Sequence, residues 1–425
     1  MSREKTALVP RLRFPEFENT GEWKINTLNK LAMRINTRNH DSLITRVLTN
    51  SAIEGVVDQS DYFDREVANH KKLENYFVID KGDYVYNPRI SATAPVGPIS
   101  KNKIGKGVMS PLYTVFRFEN LNSEFYEQYF KTTLWHHYLK SVSNTGARHD
   151  RMSISNDSFM EMPVALPRKE EQQKIADCLS SLDELIAAED KKLDALKAHK
   201  KGLMQKLFPV EGKTVPEWRF PEFQDSGEWE VASFETFIKL YRGSSPRPIQ
   251  EFLVKKDGVN WIKIGDTKNA DGFKIQSVEE QISHEGAQKS RFVTVGELIL
   301  ANSMSYGKTY EVEIDGCIYD GWFVLREYEK YFNKSFLLQQ LNSDNMQKQY
   351  MNLAAGGIVQ NISSDIVYST VLQRPTLKEE QQKIANCLSS IDDLIAEQIQ
   401  KIESLTLHKK GLMQGLFPSV EEVNE

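Results

Sequence analysis

Two stretches of the chain repeat apolar residues at a 4-3 spacing. The first carries Ile175, Leu179, Leu182, Ile186, Leu193, Leu196, Leu203 and Leu207, and the second Ile384, Leu388, Ile391, Ile395, Ile402, Leu405, Leu412 and Leu416. Glu189 and Lys200 interrupt the first register, and Gln398 and Lys409 the second. Such a pattern, sustained over about five heptads, predicts a long helix with a coiled-coil seam. Pro209 and Pro418 mark where each helix stops. At ~1.5 Å rise, about 38 residues give a helix of roughly 57 Å. A lone helix with one apolar stripe needs a partner, and the nearest is the other copy. Antiparallel pairing puts one upstream domain at each end, keeps the linker 209–230 short and creates a pseudo-twofold axis.

The helices belong to a tandem duplication. KEEQQKIADCLSSLDELIA (169–187) returns at 378–396 with 16 of 19 positions identical, and HKKGLMQKLFP (199–209) returns at 408–418 with 10 of 11 identical. Upstream, RFPEF-ENTGEW (13–23) returns as RFPEF-QDSGEW (219–229). The stretches between, 24–168 and 230–377, show little identity beyond a shared rhythm. KGDYVYNPR (81–89) answers to VGELILANS (295–303), and GARHDRMS (146–153) to GGIVQNIS (356–363). Runs such as YTVFRF (113–118), RFVTV (291–295) and GWFVLR (321–326) read as strands, with helices over 124–140 and 333–349. The expected class is α+β: two mixed α/β domains, 1–168 and 209–377, joined by two spacer helices, 169–208 and 378–418, with a tail at 419–425. The seam-flanking EEQQK and HKKG repeat as closely as the apolar positions do. Core packing needs only apolar identity, so these read as exposed surface on which two copies of one partner dock.

Charge leaves the ligand open. The net charge is -5, which alone disfavours a nucleic-acid binder, but residues 1–168 hold 23 basic against 19 acidic residues. No stretch approaches 18 apolar residues and the N-terminus has no apolar run, which points to a cytoplasmic protein. The three cysteines are too few for a disulfide framework. No Walker loop and no G-x-G-x-x-G is present, and YNPRI (86–90) lacks the second proline of an amino-methyltransferase motif. His136 and His137 read as a surface pair, and Cys178 and Cys387 as buried small residues in equivalent places. His199 and His408 fit either solvation or a partner contact. Nothing here reads as catalytic, no metal site is expected, and no cofactor is assigned to this chain.

Candidate ligand contacts lie in turn-rich stretches of the two domains. In the first they are Arg89, Lys101, Lys103, Lys106, Arg148, His149 and Arg151; in the second, Arg242, Ser244, Ser245 and Arg247 of YRGSSPRP, with Asn302, Lys308, Gln360 and Asn361. Cations and hydroxyls there can meet phosphates, arginine can hold guanine edges and amides can read adenine.

The duplicated heads and helices resemble the specificity (S) subunit of type I restriction–modification systems along the whole chain. The resemblance is carried by RLRFPEF…GEW at 11–23, WRFPEF…GEW at 218–229, PRKEEQQKIADCLSSLDELI at 167–186, PTLKEEQQKIANCLSSIDDLI at 375–395 and both KKGLMQ-x-LFP ends. RGSSPR (242–247) followed by DGVNWIKIGD (257–266) is similar to the family's opening recognition motif, with Ser245-Pro246 near the usual Thr-Pro; AMRINTRNHD (32–41) departs from it. The resemblance implies two target-recognition domains, each reading half of an asymmetric bipartite DNA sequence, with the helices setting the gap. It further implies two modification subunits carrying S-adenosylmethionine and methylating adenine N6. Two motor–nuclease restriction subunits would use ATP and Mg2+, and this chain would be a non-catalytic part. The alternative is a coiled-coil adaptor that binds proteins without reading DNA.

Overall fold

The computed structural model describes residues 8–62, 70–119, 123–143, 150–270, 272–303, 307–354 and 361–418. The chain forms two units: Met1–Ala188 with Ile402–Glu425, and Glu189–Lys401. The division falls inside each of two 39-residue helices, Lys169–Leu207 and Lys378–Leu416. Each unit therefore holds one domain, the start of the helix that follows it and the end of the other helix.

The two units repeat one topology. In the first, Lys24–Thr27 pairs antiparallel with Pro163–Leu166, the strand that leads into its helix; in the second, Glu230–Ser233 pairs in the same way with Val371–Arg374. The first unit adds two four-stranded sheets. One runs Ala32–Ile35, Thr114–Phe118, Tyr84–Tyr86, Ile99–Lys101; the other runs Gly55–Asp58, Val47–Ser51, Gly107–Met109, Phe77–Ile79. The second unit expands both to five strands. Each unit keeps an equivalent parallel pair, Val47–Ser51 with Gly107–Met109 and Val259–Ile262 with Gly316–Ile318, and the second unit adds another in its other sheet, Lys274–Ile275 with Thr309–Val312. The helices expected over 124–140 and 333–349 are each broken in two. Ser123–Phe130 and His136–Val142 are parted where the Thr132 hydroxyl donates to Tyr129 O and accepts from Leu134 N. Lys334–Leu341 and Asp344–Ala354 are parted at Asn342, whose amide donates to Thr309 O, and Ser343, whose hydroxyl accepts from Met346 N. Side chains that bond the backbone compete with helix continuation.

Every seam position of the two helices is buried or half-buried. The positions that interrupt the apolar register belong to the seam and are paired within their unit. In the second unit Lys200 Nζ lies 2.6 Å from Asp392, Gln398 donates to Glu189 at 2.7 Å, and Lys401 pairs with Glu189 at 2.6 Å. Numbers rise on one helix as they fall on the other, so the helices are antiparallel there. In the first unit Lys409 bonds Asp183, while Leu416 and Phe417 share a core with Ile175, Ala176 and Leu179, again antiparallel. Each seam aspartate also accepts from a glutamine of its own domain: Gln128 to Asp183 at 3.1 Å and Gln339 to Asp392 at 2.7 Å. Both glutamines are buried.

The heads explain much of the duplicated surface. Arg13 donates from Nε and Nη2 to the Glu171 carboxylate at 2.8 and 2.7 Å, and from Nη1 to Gly21 O at 2.7 Å. Arg219 does the same to Glu380, at 2.8 and 2.7 Å, and to Gly227 O at 2.6 Å. Both glutamates are 1% exposed. Gln172 and Gln381 donate to Pro167 O and Pro375 O. Two of the five residues of EEQQK, expected on the surface, are thus interior: the glutamate grips the head and the glutamine secures the turn into the helix. In HKKG, Lys200 and Lys409 serve the seam. His136 is half-buried, edge-on to Trp135 at 4.5 Å, and burial and then Lys140 push its pKa down to about 4; only His137 lies on the surface. Cys178 and Cys387 are half-buried.

Glu380→Ala leaves the Arg219 guanidinium, on a side chain only 7% exposed, with Gly227 O and no counter-charge, and denaturant unfolding should show a loss of about 3–5 kcal/mol, while replacing both residues by methionine should recover most of it. At Asp183, desolvation opposes the charged form, but Lys409, Gln128 and Lys131 outweigh it and hold the carboxyl at about 2, from 3.8. A depressed folded-state pKa contributes stability above the unfolded value that is lost as pH falls toward the folded one. The melting temperature should therefore fall between pH 4 and 2 more steeply in the native chain than in Asp183→Asn, which should already be less stable at pH 7.

Candidate nucleic-acid interface

In the first unit, strand Tyr84–Tyr86 runs into Asn87, Pro88 and Arg89. Here Tyr86 is buried with its hydroxyl donating to Val96 O at 3.0 Å, and burial drives its pKa up. Asn87 donates to Asn50 O at 2.9 Å and accepts from the Arg89 amide at 3.0 Å. Gly97 makes room for this corner: its φ is +81°, and a Cβ there would lie 2.1 Å from Asn87 O. The YNPRI motif is thus a backbone corner. It presents Arg89 opposite Arg151 in an isolated antiparallel bridge, flanked by Met152 N to Pro88 O at 2.9 Å and Ile90 N to Asp150 O at 3.0 Å. The Asp150 carboxylate lies 4.0 Å from Arg89 and 3.8 Å from Arg151.

The second unit builds the same crossing. After strand Leu298–Ala301, Ser303 bridges Asn361, and Ile362 N donates to Asn302 O at 2.6 Å. Asn302 is buried and spends its amide on Asp320 O at 2.9 Å, so it is a brace rather than an exposed contact. Asn361 is exposed. Lys308 shows its carbonyl to Ala301 N and sends a half-buried ammonium toward Asp344 and Lys200; burial lowers its pKa.

The lysines of the first unit do not join the arginines. Tyr84 pairs with Lys101 and Tyr86 with Ile99, so Lys101 and Arg89 leave opposite ends of one strand pair. Lys101 is ion-paired with Glu124 at 2.7 Å and Lys103 with Glu127 at 2.6 Å. Both line a cavity of about 470 Å³ shared with Gln128, Asp183 and Glu184, an acidic wall that offsets their charge. Lys106 is exposed. Arg148, His149 and Gln360 lie outside the described residues.

The loop after strand Lys239–Arg242 is organised by Asp320, which no pattern in the sequence singles out. Ser245 donates to its carboxylate at 2.6 Å, Arg247 lies 3.9 Å from it, and Arg242 Nε donates to its carbonyl at 3.2 Å. The Ser245 bond first, then the arginines, lowers the Asp320 pKa against burial. Ser244 donates to Lys289 O at 3.2 Å, so its hydroxyl proton is engaged within the fold. The Arg247 side chain is 83% exposed. Beneath the loop lies a cavity of about 540 Å³ lined by Pro246, Ile249, Trp261 and Tyr319. Tyr241, also unmarked in the sequence, carries the guanidinium groups of Arg291 and Arg326 at 5.6 and 5.7 Å from its ring. Such contacts join residues tens of positions apart and leave no local signal.

Among the described residues no group of histidine, cysteine, aspartate or glutamate is arranged to hold a metal, and no helix is long and apolar enough to cross a membrane. The arrangement offers arginines, an amide and hydroxyls on loop ends, which suits reading of polar edges. Gly243 permits the 242–247 loop, since a Cβ there would lie 2.0 Å from Tyr319 O. Gly243→Ala should lower stability by about 1–3 kcal/mol in urea unfolding, as overpacking does.

The model for the type I restriction modification DNA specificity domain matches residues 53–198 and 227–405. The MjaVIII specificity subunit of a type I restriction enzyme from Methanocaldococcus jannaschii is 26% identical over 329 residues, 73% of this chain and 74% of that protein. A type I restriction–modification S subunit from M. genitalium aligns with a TM-score of 0.58 at 13% identity, covering 97% of this chain and 100% of that one. A chain from a structure of the type I R-M system, solved to explain its complex assembly and conformational transition, aligns at 0.57 and 16% identity, covering 94% and 98%. At such identities the two structures speak for the fold.

Proposed function

Because this chain belongs to the type I restriction–modification DNA specificity family, we propose that it reads an asymmetric bipartite DNA target and positions modification and restriction subunits on it. Residues 1–168 and 209–377 are the two target-recognition domains. The helices 169–208 and 378–418 are spacers that fix the gap between half-sites, and 419–425 is a tail. The chain is a recognition part and not an enzyme. Two modification subunits bind S-adenosylmethionine and methylate adenine N6, one at each half-site. Their target base leaves the helix for their own pocket, since base chemistry requires extrusion. Two restriction subunits supply ATP- and Mg2+-dependent translocation and cleavage, and the complex works in the cytoplasm.

One observation carries the reading: two units share the head-arginine, seam-lysine and glutamine contacts of one frame, yet present different side chains at the same loop crossing. A structural spacer would have no use for that difference, whereas a bipartite reader requires it. The DNA-contact set proposed for the first half-site is Arg89, Lys106, Arg148 and Arg151, with Lys101 and Lys103 as outlying phosphate contacts. For the second it is Arg242, Ser244, Ser245, Arg247, Lys308, Gln360 and Asn361. The acidic balance of the chain fits a complex in which the modification subunits neutralise most phosphates.

The test is single-molecule sequencing of genomic methylation in a methylase-deficient host that expresses this chain with its modification subunit. The expected result is a new N6-methyladenine motif made of a short half-site, a fixed gap and a second, different half-site. The modification subunit alone should give none. A soluble complex that methylates nothing would favour the protein-binding adaptor instead.

A further inference from the structure

We propose that the loop crossing of each unit is the base-reading position that makes the two half-sites differ, with Arg89 and Asp150 reading a G·C pair in the first and Asn361 an A·T pair in the second. This rests on the reading of the chain as a DNA specificity subunit and assigns chemistry within it.

The two crossings occupy one place in the fold. Each follows a strand that pairs in the interior of its sheet, Tyr84–Tyr86 or Leu298–Ala301. Each is closed by a backbone bond from the residue after the bridge, Met152 N to Pro88 O or Ile362 N to Asn302 O. Each leads into a short helix whose serine cap accepts from its N3 amide, Ser155 from Ser158 N and Ser363 from Ile366 N. Backbone held at both ends sets a side chain with little freedom, as a specificity contact needs.

The side chains on that shared backbone differ in kind. In the first unit the Arg89 side chain is 63% exposed, Asp150 52% and Arg151 30%. The separations of 4.0 and 3.8 Å from Asp150 are beyond hydrogen-bond length, so attraction gathers the three groups while their donors and acceptors stay available to a ligand. Guanine shows N7 and O6 as acceptors in the major groove and its cytosine shows the N4 donor. A guanidinium beside a carboxylate matches that pair of edges. Arg151, 3.8 Å from the same carboxylate, is the further cation at this crossing. In the second unit Ser303 and Asn361 replace the two arginines, and Ser303 lies 3.5 Å from the Tyr319 hydroxyl. An exposed amide complements adenine, which offers N6 as donor and N7 as acceptor.

The experiment compares methylation motifs written by the intact complex of modification subunit with native, R89Q or N361A chain. Arg89→Gln should relax one G·C position of the first half-site, with preference there falling roughly tenfold to a hundredfold. The second half-site and the gap should be unchanged, which also reports that the variant is folded. Asn361→Ala should relax one A·T position of the second half-site and leave the first intact. If both variants keep the native preference at every position, the proposal is overturned while the bipartite reading stands. If the native chain itself yields no bipartite motif, that reading falls and takes the proposal with it. Should R89Q write no methylation, Arg89→Lys decides, because it keeps the charge without the planar fork: relaxation at one position supports the proposal, and native preference overturns it.

Discussion

Two carboxylates, Asp183 and Asp392, hold together three elements in each unit. Each accepts from a lysine of the opposing helix, Lys409 or Lys200, and from a buried glutamine of its own domain, Gln128 or Gln339. Apolar seams permit helices to slide by a heptad, because one leucine resembles the next. A polar seam residue that loses its partner when the register shifts does not permit it. Burial works against both charges of the first pair: it depresses the Lys409 pKa, and it opposes the ionisation of Asp183 that Lys409, Gln128 and Lys131 restore. Such groups are retained for the register they specify more than for stability.

The head arginines extend the same logic. Arg13 and Arg219 reach past their own domains to the first turn of the helix that follows, and acidic side chains at that turn also suit the helix dipole. In the second unit the end of the first long helix runs through residues 208–218 into its head, with Phe208 edge-on to Trp229 at 5.8 Å. In the first unit the end of the second long helix takes that place, with Phe417 edge-on to Trp23 at 5.9 Å and Leu12 N donating to Gly415 O at 2.8 Å. The frame contacts are thus met twice from differently connected chain. They constrain heads, helix ends and a glutamine, and leave the loop crossings free to differ.

How much of this was legible follows from the range of each interaction. The helices and their seam could be read because a 4-3 period is local. The interruptions could not be resolved, since Gln398 finds Glu189 across 209 residues and Lys409 finds Asp183 across 226. The repeat of EEQQK was visible, but Glu171 and Gln172 are interior, because a head 158 residues upstream needed a carboxylate to bind. At the interface, arginine and amide types in turn-rich stretches marked Arg89, Arg151 and Asn361. Their assembly into matching crossings was foreshadowed only by the faint rhythm shared by 81–89 with 295–303 and by 146–153 with 356–363. Asp320 and Tyr241 act through contacts with partners 50 or more positions away, and no spacing announces them.

On a shared frame the two readers should be interchangeable, and the methylation motif of a chimera in which residues 230–377 are replaced by a second copy of 24–168 measures this. The copied Gln128 would then stand in for Gln339 at Asp392, and every frame contact would be kept. The expected result is a soluble chain that writes a motif whose second half-site is the inverted copy of the first, at an unchanged gap. A chimera that folds and joins the modification subunit, yet keeps the original second half-site or writes an unrelated one, would contradict it.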